Sequence, residues 1–172
     1  MASSLAKIPL HTHDGYNVVV ETPRGSRTKF AYDRETGLFQ AKMLLAMGFA
    51  FPFAFGFFPS SRGEDGDPLD VLILTEADLP MGALVRCRLI GGIAIEESAE
   101  GEARRNDRIL AVPLLRHQDR PPYELSDIPA AELKDIEDFL VAYQAADGND
   151  TKVIARLSKA EAESVIRGAA RA

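Results

Sequence analysis

Short apolar segments, each closed by Gly, Pro or Asp, recur up to about residue 112 and restrict what this chain can fold into. Residues 16–22 are rich in β-branched side chains and end at the turn signal Pro23-Arg24-Gly25. Short, regularly interrupted strands are typical of a small closed β-structure rather than of βαβ units. The predicted strands are Tyr16–Thr22, Thr28–Tyr32, Leu38–Ala41, Val71–Thr75, Ala83–Leu89, Ile93–Glu97 and Arg108–Val112.

Two amphipathic helices are predicted after these strands. The first runs from about residue 129 to 143, with Asp127 as its N-cap and Pro129 in the first turn. The second runs from about residue 159 to 170, and Ser158 with Glu161 fits a capping box. The apolar stripe of the first helix is formed by Leu133, Ile136, Leu140 and Tyr143. No repeat or linker divides residues 1–172, so we predict one α+β domain, with the helices packed outside the strands.

Three aspartates, Asp65, Asp67 and Asp70, fall within six residues immediately before the apolar strand at residues 71–74. Carboxylates this close disfavour one another's ionised form, so the cluster needs either cations or full solvation. Hard divalent ions such as Mg²⁺ prefer carboxylate oxygens and turn a bound water into a nucleophile. The loop therefore predicts a metal site that performs a hydrolysis.

The composition limits the possible partners. The formal net charge is −6 and the basic residues are scattered, which argues against nucleic-acid binding. An acidic protein that acts on an anion needs metal ions to reconcile the charges. Cys87 is the only cysteine, and its strand pattern predicts a buried thiol. We see neither a signal-peptide pattern nor a run long enough to span a membrane, and we therefore expect a cytoplasmic protein without a membrane partner.

Two other classes of acidic site do not fit this loop. In phosphatases of the haloacid dehalogenase type the nucleophilic Asp follows a hydrophobic strand, whereas here the strand comes after the aspartates. An EF-hand loop starting at Asp65 has Leu69 at its fifth position and Asp70 at its sixth, where the sharp turn requires Gly. A solvated acidic turn remains the structural alternative to a metal site.

The segment Asp65-Gly-Asp-Pro-Leu-Asp70 resembles the signature of the soluble family I inorganic pyrophosphatases. The resemblance covers most of the chain, including the aromatic segment at residues 49–58 before the aspartates. Single residues that match the family's pattern are Glu21, Lys29, Glu97 and Tyr143, and Arg108 stands where the family has a lysine.

This resemblance implies a five-stranded β-barrel, similar to an OB-fold, that hydrolyses pyrophosphate to two orthophosphates with a metal-activated water. It implies several Mg²⁺ ions, with Mn²⁺ as a possible substitute, and a homo-oligomer (a dimer, a trimer or a hexamer). Asp67 is then the general base. The implied metal ligands are Asp65, Asp70, Glu97, Asp107 and Glu21. The implied substrate-binding residues are Lys29, Lys42, Arg108 and Tyr143.

Several residues depart from the family's pattern, and these departures reduce the number of predicted contacts to substrate. An acidic metal ligand is replaced by Asn106, and its neighbour Asp107 is the candidate to take over. Ala31 stands where the family has an acidic residue, and Lys42 where it has an arginine. Phe51 and Phe55 stand where the family has tyrosines, and Gln144 where it has a lysine. Two alternatives follow: a metal-dependent hydrolase of the same fold acting on another small phosphate or phosphoanhydride, and a non-catalytic metal- or phosphate-binding homologue.

Overall fold

The computed structural model describes residues 5–63, 66–99, 102–118, 120–146 and 148–170. Its strands are β1 (Tyr16–Thr22), β2 (Thr28–Asp33), β3 (Leu38–Leu44), β4 (Ala54–Phe57), β5 (Asp70–Ile73), β6 (Leu84–Ala99), β7 (Glu102–Pro113) and β8 (Asp150–Leu157). Its helices are α1 (Ala130–Ala146) and α2 (Lys159–Ala169), with short 3₁₀ turns at Leu5–Lys7 and Leu125–Asp127.

Five strands form a closed ring. The pairing order is β1-β4-β5-β7-β6, and β6 pairs again with β1 to close it. All pairs are antiparallel except β5 with β7, which are parallel. Strand β8 adds to the far part of β6, while β2 and β3 form a separate hairpin. The predicted α+β class with five closed strands is thus confirmed.

Alternate residues of all five strands point into the ring, and because these residues are apolar the interior is apolar. Helix α2 adds Ala162 and Ile166 to this cluster. The strand residues in the cluster are Val18, Val20, Ala54, Val71, Ile73, Val85, Cys87, Leu89, Ile109 and Ala111. Cys87 is fully buried, as predicted, and burial raises the pKa of its thiol to about 12.

A second apolar cluster lies between the outer face of the ring and α1. The predicted stripe of α1 is confirmed, since Leu133, Ile136, Leu140 and Tyr143 are all buried there. They pack on Leu72, Leu110 and other outward residues of β5, β6 and β7. The same strands therefore anchor α1 on one face and fill the ring on the other, which fixes their register.

The structure corrects three details of the predicted elements. The two strands predicted at Ala83–Leu89 and Ile93–Glu97 are one strand, β6, with a bulge between Leu89 and Gly91. Strands β4 and β8 were not predicted. Asp127 does not cap α1: it lies in the 3₁₀ turn Leu125–Asp127, and its carboxylate accepts hydrogen bonds from the backbone N–H groups of Tyr123 and Glu124 just before that turn. The predicted capping box of α2, Ser158 with Glu161, is confirmed.

Among the described residues, no helix is both long and apolar enough to cross a membrane.

Candidate active site

The loop that carries the aspartates is tied to the end of β4 by a buried serine. Ser61 Oγ donates a hydrogen bond to the carbonyl of Phe58 at 2.6 Å and accepts one from the N–H of Leu69 at 2.9 Å. The N–H of Gly63 donates to the carbonyl of Asp67 at 2.6 Å, which closes the loop. No local pattern singles out Ser61, because its role depends on two segments that meet only in the fold.

The middle aspartate of the loop is accessible. Asp67 is exposed and follows Gly66, whose φ of +92° places it in the left-handed region that favours glycine. Asp67 lies close enough to Glu21 for its charge to contribute to the raised pKa of that carboxyl. The predicted ligand Asp65 lies outside the described residues.

Three strands bring Asp70, Glu97 and Arg108 together. Arg108 lies on β7, between β5 with Asp70 and β6 with Glu97. Its Nη1 contacts Asp70 Oδ2, and its Nη2 lies 3.1 Å from Glu97 Oε1. The Arg108 side chain is 6 % exposed, against 37 % for Asp70 and 19 % for Glu97. Two predicted metal ligands and one predicted substrate ligand therefore form one ion-paired group.

Amide side chains complete the surroundings of Glu97. Gln144 Nε2 donates to Glu97 Oε1 at 2.5 Å, and Asn106 Nδ2 lies 3.3 Å from both carboxylate oxygens. Asn106 Oδ1 in turn accepts from Arg108 Nη1 at 2.7 Å. These amides hold Glu97 in place without adding charge, which a lysine at position 144 would add.

Asn106 and Asp107 point to opposite faces of β7. Asn106 shares a face with Arg108 and contacts Glu97, whereas the Asp107 carboxylate pairs with Arg105 at 2.9 Å. Both residues border a surface cleft together with Glu97. Of the two candidates, Asn106 is the one placed against the carboxylates of the centre.

Among the carboxyl groups of the site that the structure describes, Glu21 has the most strongly shifted pKa. Burial raises its pKa to about 7, and the nearby charges of Asp70 and Asp67 act in the same direction. A hydrogen bond from the N–H of Tyr32, at 2.8 Å, and the charge of Lys29 oppose this shift. A half-buried carboxyl of this kind is stabilised in its ionised form by any added cation, as expected of a metal site.

Lys29 and Tyr143 lie between this centre and the outer apolar cluster. The Lys29 Nζ lies 5.2 Å from the centroid of the Tyr143 ring. Burial lowers the pKa of Lys29, but the Tyr143 hydroxyl and the Asp70 carboxylate act against it, and the net pKa is raised. Burial also raises the pKa of Tyr143, so its hydroxyl keeps its proton at neutral pH. Both side chains can donate hydrogen bonds to an anion.

Lys42 is not drawn into this group of residues. It is exposed on β3, and its Nζ donates to Gln40 Oε1 at 2.7 Å. Lys29 lies on the other strand of the same hairpin, but among the described residues Lys42 forms no hydrogen bond or ion pair with Asp70, Glu97 or Arg108.

The donors of the site suit a hard divalent ion. Asp70, Glu97 and Glu21 offer carboxylate oxygens and Asn106 an amide oxygen, which are the ligand types that Mg²⁺ takes. In this conformation no three acidic, His or Cys side chains of the described residues converge on one point. Arg108 occupies the position between two of the carboxylates. The chemistry of the donors therefore fits the metal, while in this conformation Arg108 partly neutralises two of the carboxylates.

Comparisons with known proteins agree on one family. The family model described as "Inorganic pyrophosphatase" matches residues 18–172. An inorganic pyrophosphatase of Leifsonia xyli is 35% identical over 156 residues, which cover 88% of this chain and 91% of the relative. One from Sulfolobus acidocaldarius is 34% identical and covers 90% and 88%.

Solved structures give the same result for the fold. An inorganic pyrophosphatase of Thermus thermophilus superposes with a TM-score of 0.86 at 27% identity, over 97% of both chains. One from Neisseria gonorrhoeae has a TM-score of 0.85 at 34% identity, over 96% of both chains.

Proposed function

The chain belongs to the inorganic pyrophosphatase family and hydrolyses inorganic pyrophosphate to two orthophosphates, and we propose that the centre formed by Asp67, Asp70, Glu97 and Arg108 carries this reaction. The observation that supports this assignment is the convergence of Asp70 and Glu97 on one cationic side chain, beside the half-buried Lys29. The names of the relatives do not favour a hydrolase of another phosphate compound or a non-catalytic homologue.

The family implies a divalent metal cofactor, and we propose that Mg²⁺ serves here. The proposed ligands are Asp65, Asp70, Glu97 and Glu21, with an oxygen from Asn106 or Asp107. Bound divalent ions neutralise pyrophosphate and lower the pKa of water. All these donors are oxygens, so Mn²⁺ is a suitable substitute.

The remaining chemistry is assigned to side chains of the protein. Asp67 accepts a proton from the attacking water as the water oxygen bonds to one phosphorus. The bond from that phosphorus to the bridging oxygen breaks, and the second orthophosphate leaves with the bridging oxygen and its electron pair. Lys29, Arg108 and Tyr143 donate hydrogen bonds to phosphate oxygens, and Lys42 reaches the substrate from the hairpin.

Two further expectations stay predictions. One is the assembly of this chain into a dimer, trimer or hexamer. The other is a cytoplasmic location.

Orthophosphate release tests the proposed substrate and metal together. We expect release from pyrophosphate with Mg²⁺ and its loss when EDTA removes the metal. A panel of nucleoside triphosphates and phosphomonoesters at the same concentration serves as the comparison. Equal rates on that panel contradict pyrophosphate as the substrate, and rates unaffected by EDTA contradict the metal.

Restoring a tyrosine at position 55 tests the thinned substrate contacts. Phe55 is 9 % exposed, and its ring centroid lies 6.0 Å from that of Tyr143. A hydroxyl added here supplies one more donor near the Lys29 side of the centre. Since a neutral hydrogen bond contributes about 0.5–1.5 kcal/mol, we expect Phe55→Tyr to lower the KM for pyrophosphate about two- to tenfold.

Phe53→Tyr is the matched control for Phe55→Tyr. Phe53 lines a separate cavity with Arg24 and Thr75, so the same added hydroxyl should leave KM unchanged. If Phe55→Tyr leaves KM as it is, position 55 makes no contact with substrate.

A further inference from the structure

The Arg108 guanidinium lies between two carboxylates, at the position that a shared cation would occupy. Its guanidinium joins Asp70 of β5 and Glu97 of β6, the two strands on either side of its own strand. Within the described part of the chain, no other cationic side chain forms an ion pair with either carboxylate. The remaining partners of Glu97, Asn106 and Gln144, are neutral amides. One positive charge therefore faces two negative ones, and the group retains an excess of negative charge.

The Arg108 pairing also leaves one of its donors unsatisfied. Its Nε is buried and has no hydrogen-bond partner among the described residues. An unsatisfied buried donor destabilises the arrangement that contains it, and a buried ion pair is favourable only when its hydrogen bonds are complete. Movement of the guanidinium therefore becomes favourable once another cation binds Asp70 and Glu97.

We propose that Arg108 is an internal counter-ion that competes with the divalent cation for Asp70 and Glu97, and that the guanidinium moves to phosphate oxygens when the cation binds. This inference rests on the proposed function of the centre. An arginine suits both positions, because its planar fork binds two carboxylate groups or one phosphate equally well. Without metal, Arg108 thus partly neutralises the two carboxylates, and when metal binds, the guanidinium becomes available to phosphate.

Mn²⁺ binding without pyrophosphate measures the competition directly. The free Mn²⁺ signal in electron paramagnetic resonance gives the affinity of the full chain, independently of turnover. Arg108→Gln removes the competing charge, and we expect its first Mn²⁺ to bind about tenfold more tightly than in the unaltered protein. The same variant should show a higher KM for pyrophosphate, because it loses a phosphate ligand. Tighter metal with weaker substrate is a combination that a purely structural residue does not produce.

Two further variants make the result specific. Arg104→Gln removes one positive charge from the same strand, but Arg104 is 72 % exposed and its charge is screened, so its Mn²⁺ affinity should stay close to that of the unaltered protein. Arg108→Lys keeps the charge, but a single ammonium does not span both carboxylates as the fork does, so we expect an intermediate affinity.

Three outcomes overturn the proposal: unchanged or weaker Mn²⁺ binding in Arg108→Gln, equal gains in Arg104→Gln and Arg108→Gln, or an unchanged KM in Arg108→Gln. Thermal unfolding shows whether Arg108→Gln is folded; if it is not, Arg108→Lys decides the question by the same titration, and an affinity equal to that of the unaltered protein sinks the idea. If the Mn²⁺ titration contradicts this proposal, the conclusion drawn from orthophosphate release still holds. A protein that releases orthophosphate while Arg108→Gln gains no Mn²⁺ affinity retains its function and loses only this inference.

Discussion

Asp67→Asn should lower kcat for pyrophosphate by about 10²–10⁴-fold, the range that a general base contributes. The amide has nearly the shape of the carboxylate but accepts no proton at neutral pH. Asp67 is exposed at the loop, and the Gly63–Asp67 backbone hydrogen bond does not depend on its side chain. The loop should therefore keep its conformation, and Mn²⁺ binding should be largely unchanged. Phosphate release at saturating pyrophosphate and Mg²⁺ measures the loss.

The control for Asp67→Asn is the same chemical change at an exposed aspartate elsewhere. Asp78 lies on the loop after β5, and Asp78→Asn should leave kcat unaltered. An Asp67→Asn protein that turns over at the normal rate removes Asp67 from the mechanism. One that loses Mn²⁺ binding in parallel with kcat makes Asp67 a metal ligand rather than the base.

Most strands were predictable from sequence because alternation is a local property. Strand β1 matches its predicted bounds, Tyr16–Thr22, since its run of β-branched residues ends at a proline turn. Strand β4 lacked that signal: it lies in a continuous aromatic run and all of its residues are buried, so neither alternation nor length distinguished it. Strand β8 is mostly exposed and, among the described strands, pairs only with β6, so tertiary contacts rather than its own pattern define it.

The residues of the site were easier to find than their relationships. Asp70 was picked out by the aspartate cluster, and Glu97 and Arg108 by resemblance, but only the strand order β5-β7-β6 shows that one arginine joins the two carboxylates. Arg108 was expected to bind substrate, and the sequence held no sign of its ion pairs, because they join positions far apart in the chain. The choice between Asn106 and Asp107 likewise depends on which face of β7 each residue occupies.

The glycine pair at positions 91 and 92 shows the same limit. It marked the end of a predicted strand, since glycine usually weakens strands, yet β6 continues through it. Gly91 has a φ of +150° and lies at the bulge after Leu89. The bulge lets β6 take part both in the closed ring and in the extended β6–β7 pair that carries Glu97. These glycines therefore join the two parts of the fold.

Gly91→Ala should accordingly destabilise the protein by about 3 kcal/mol, combining the cost of an unfavourable φ with overpacking. A Cβ on Gly91 would lie 2.6 Å from the backbone carbonyl of Leu157 in β8 and would also clash with the side chain of Leu125. The leucine side chain can rotate away, but the carbonyl moves only if β8 shifts relative to β6. At about 2–4 °C per kcal/mol for a chain of this size, the midpoint of thermal unfolding should fall by roughly 6–12 °C.

Gly168→Ala separates this steric effect from the general effect of adding a methyl group. A Cβ on Gly168 meets no atom within 4 Å, and the residue lies in α2, where alanine is favoured over glycine. Its unfolding midpoint should therefore stay the same or rise slightly. If Gly91→Ala behaves like Gly168→Ala, the backbone of β6 can accept a side chain at its bulge. In that case the pairing of β6 with β7 and β8, which continues on both sides of Glu97, rather than the glycine determines the position of Glu97.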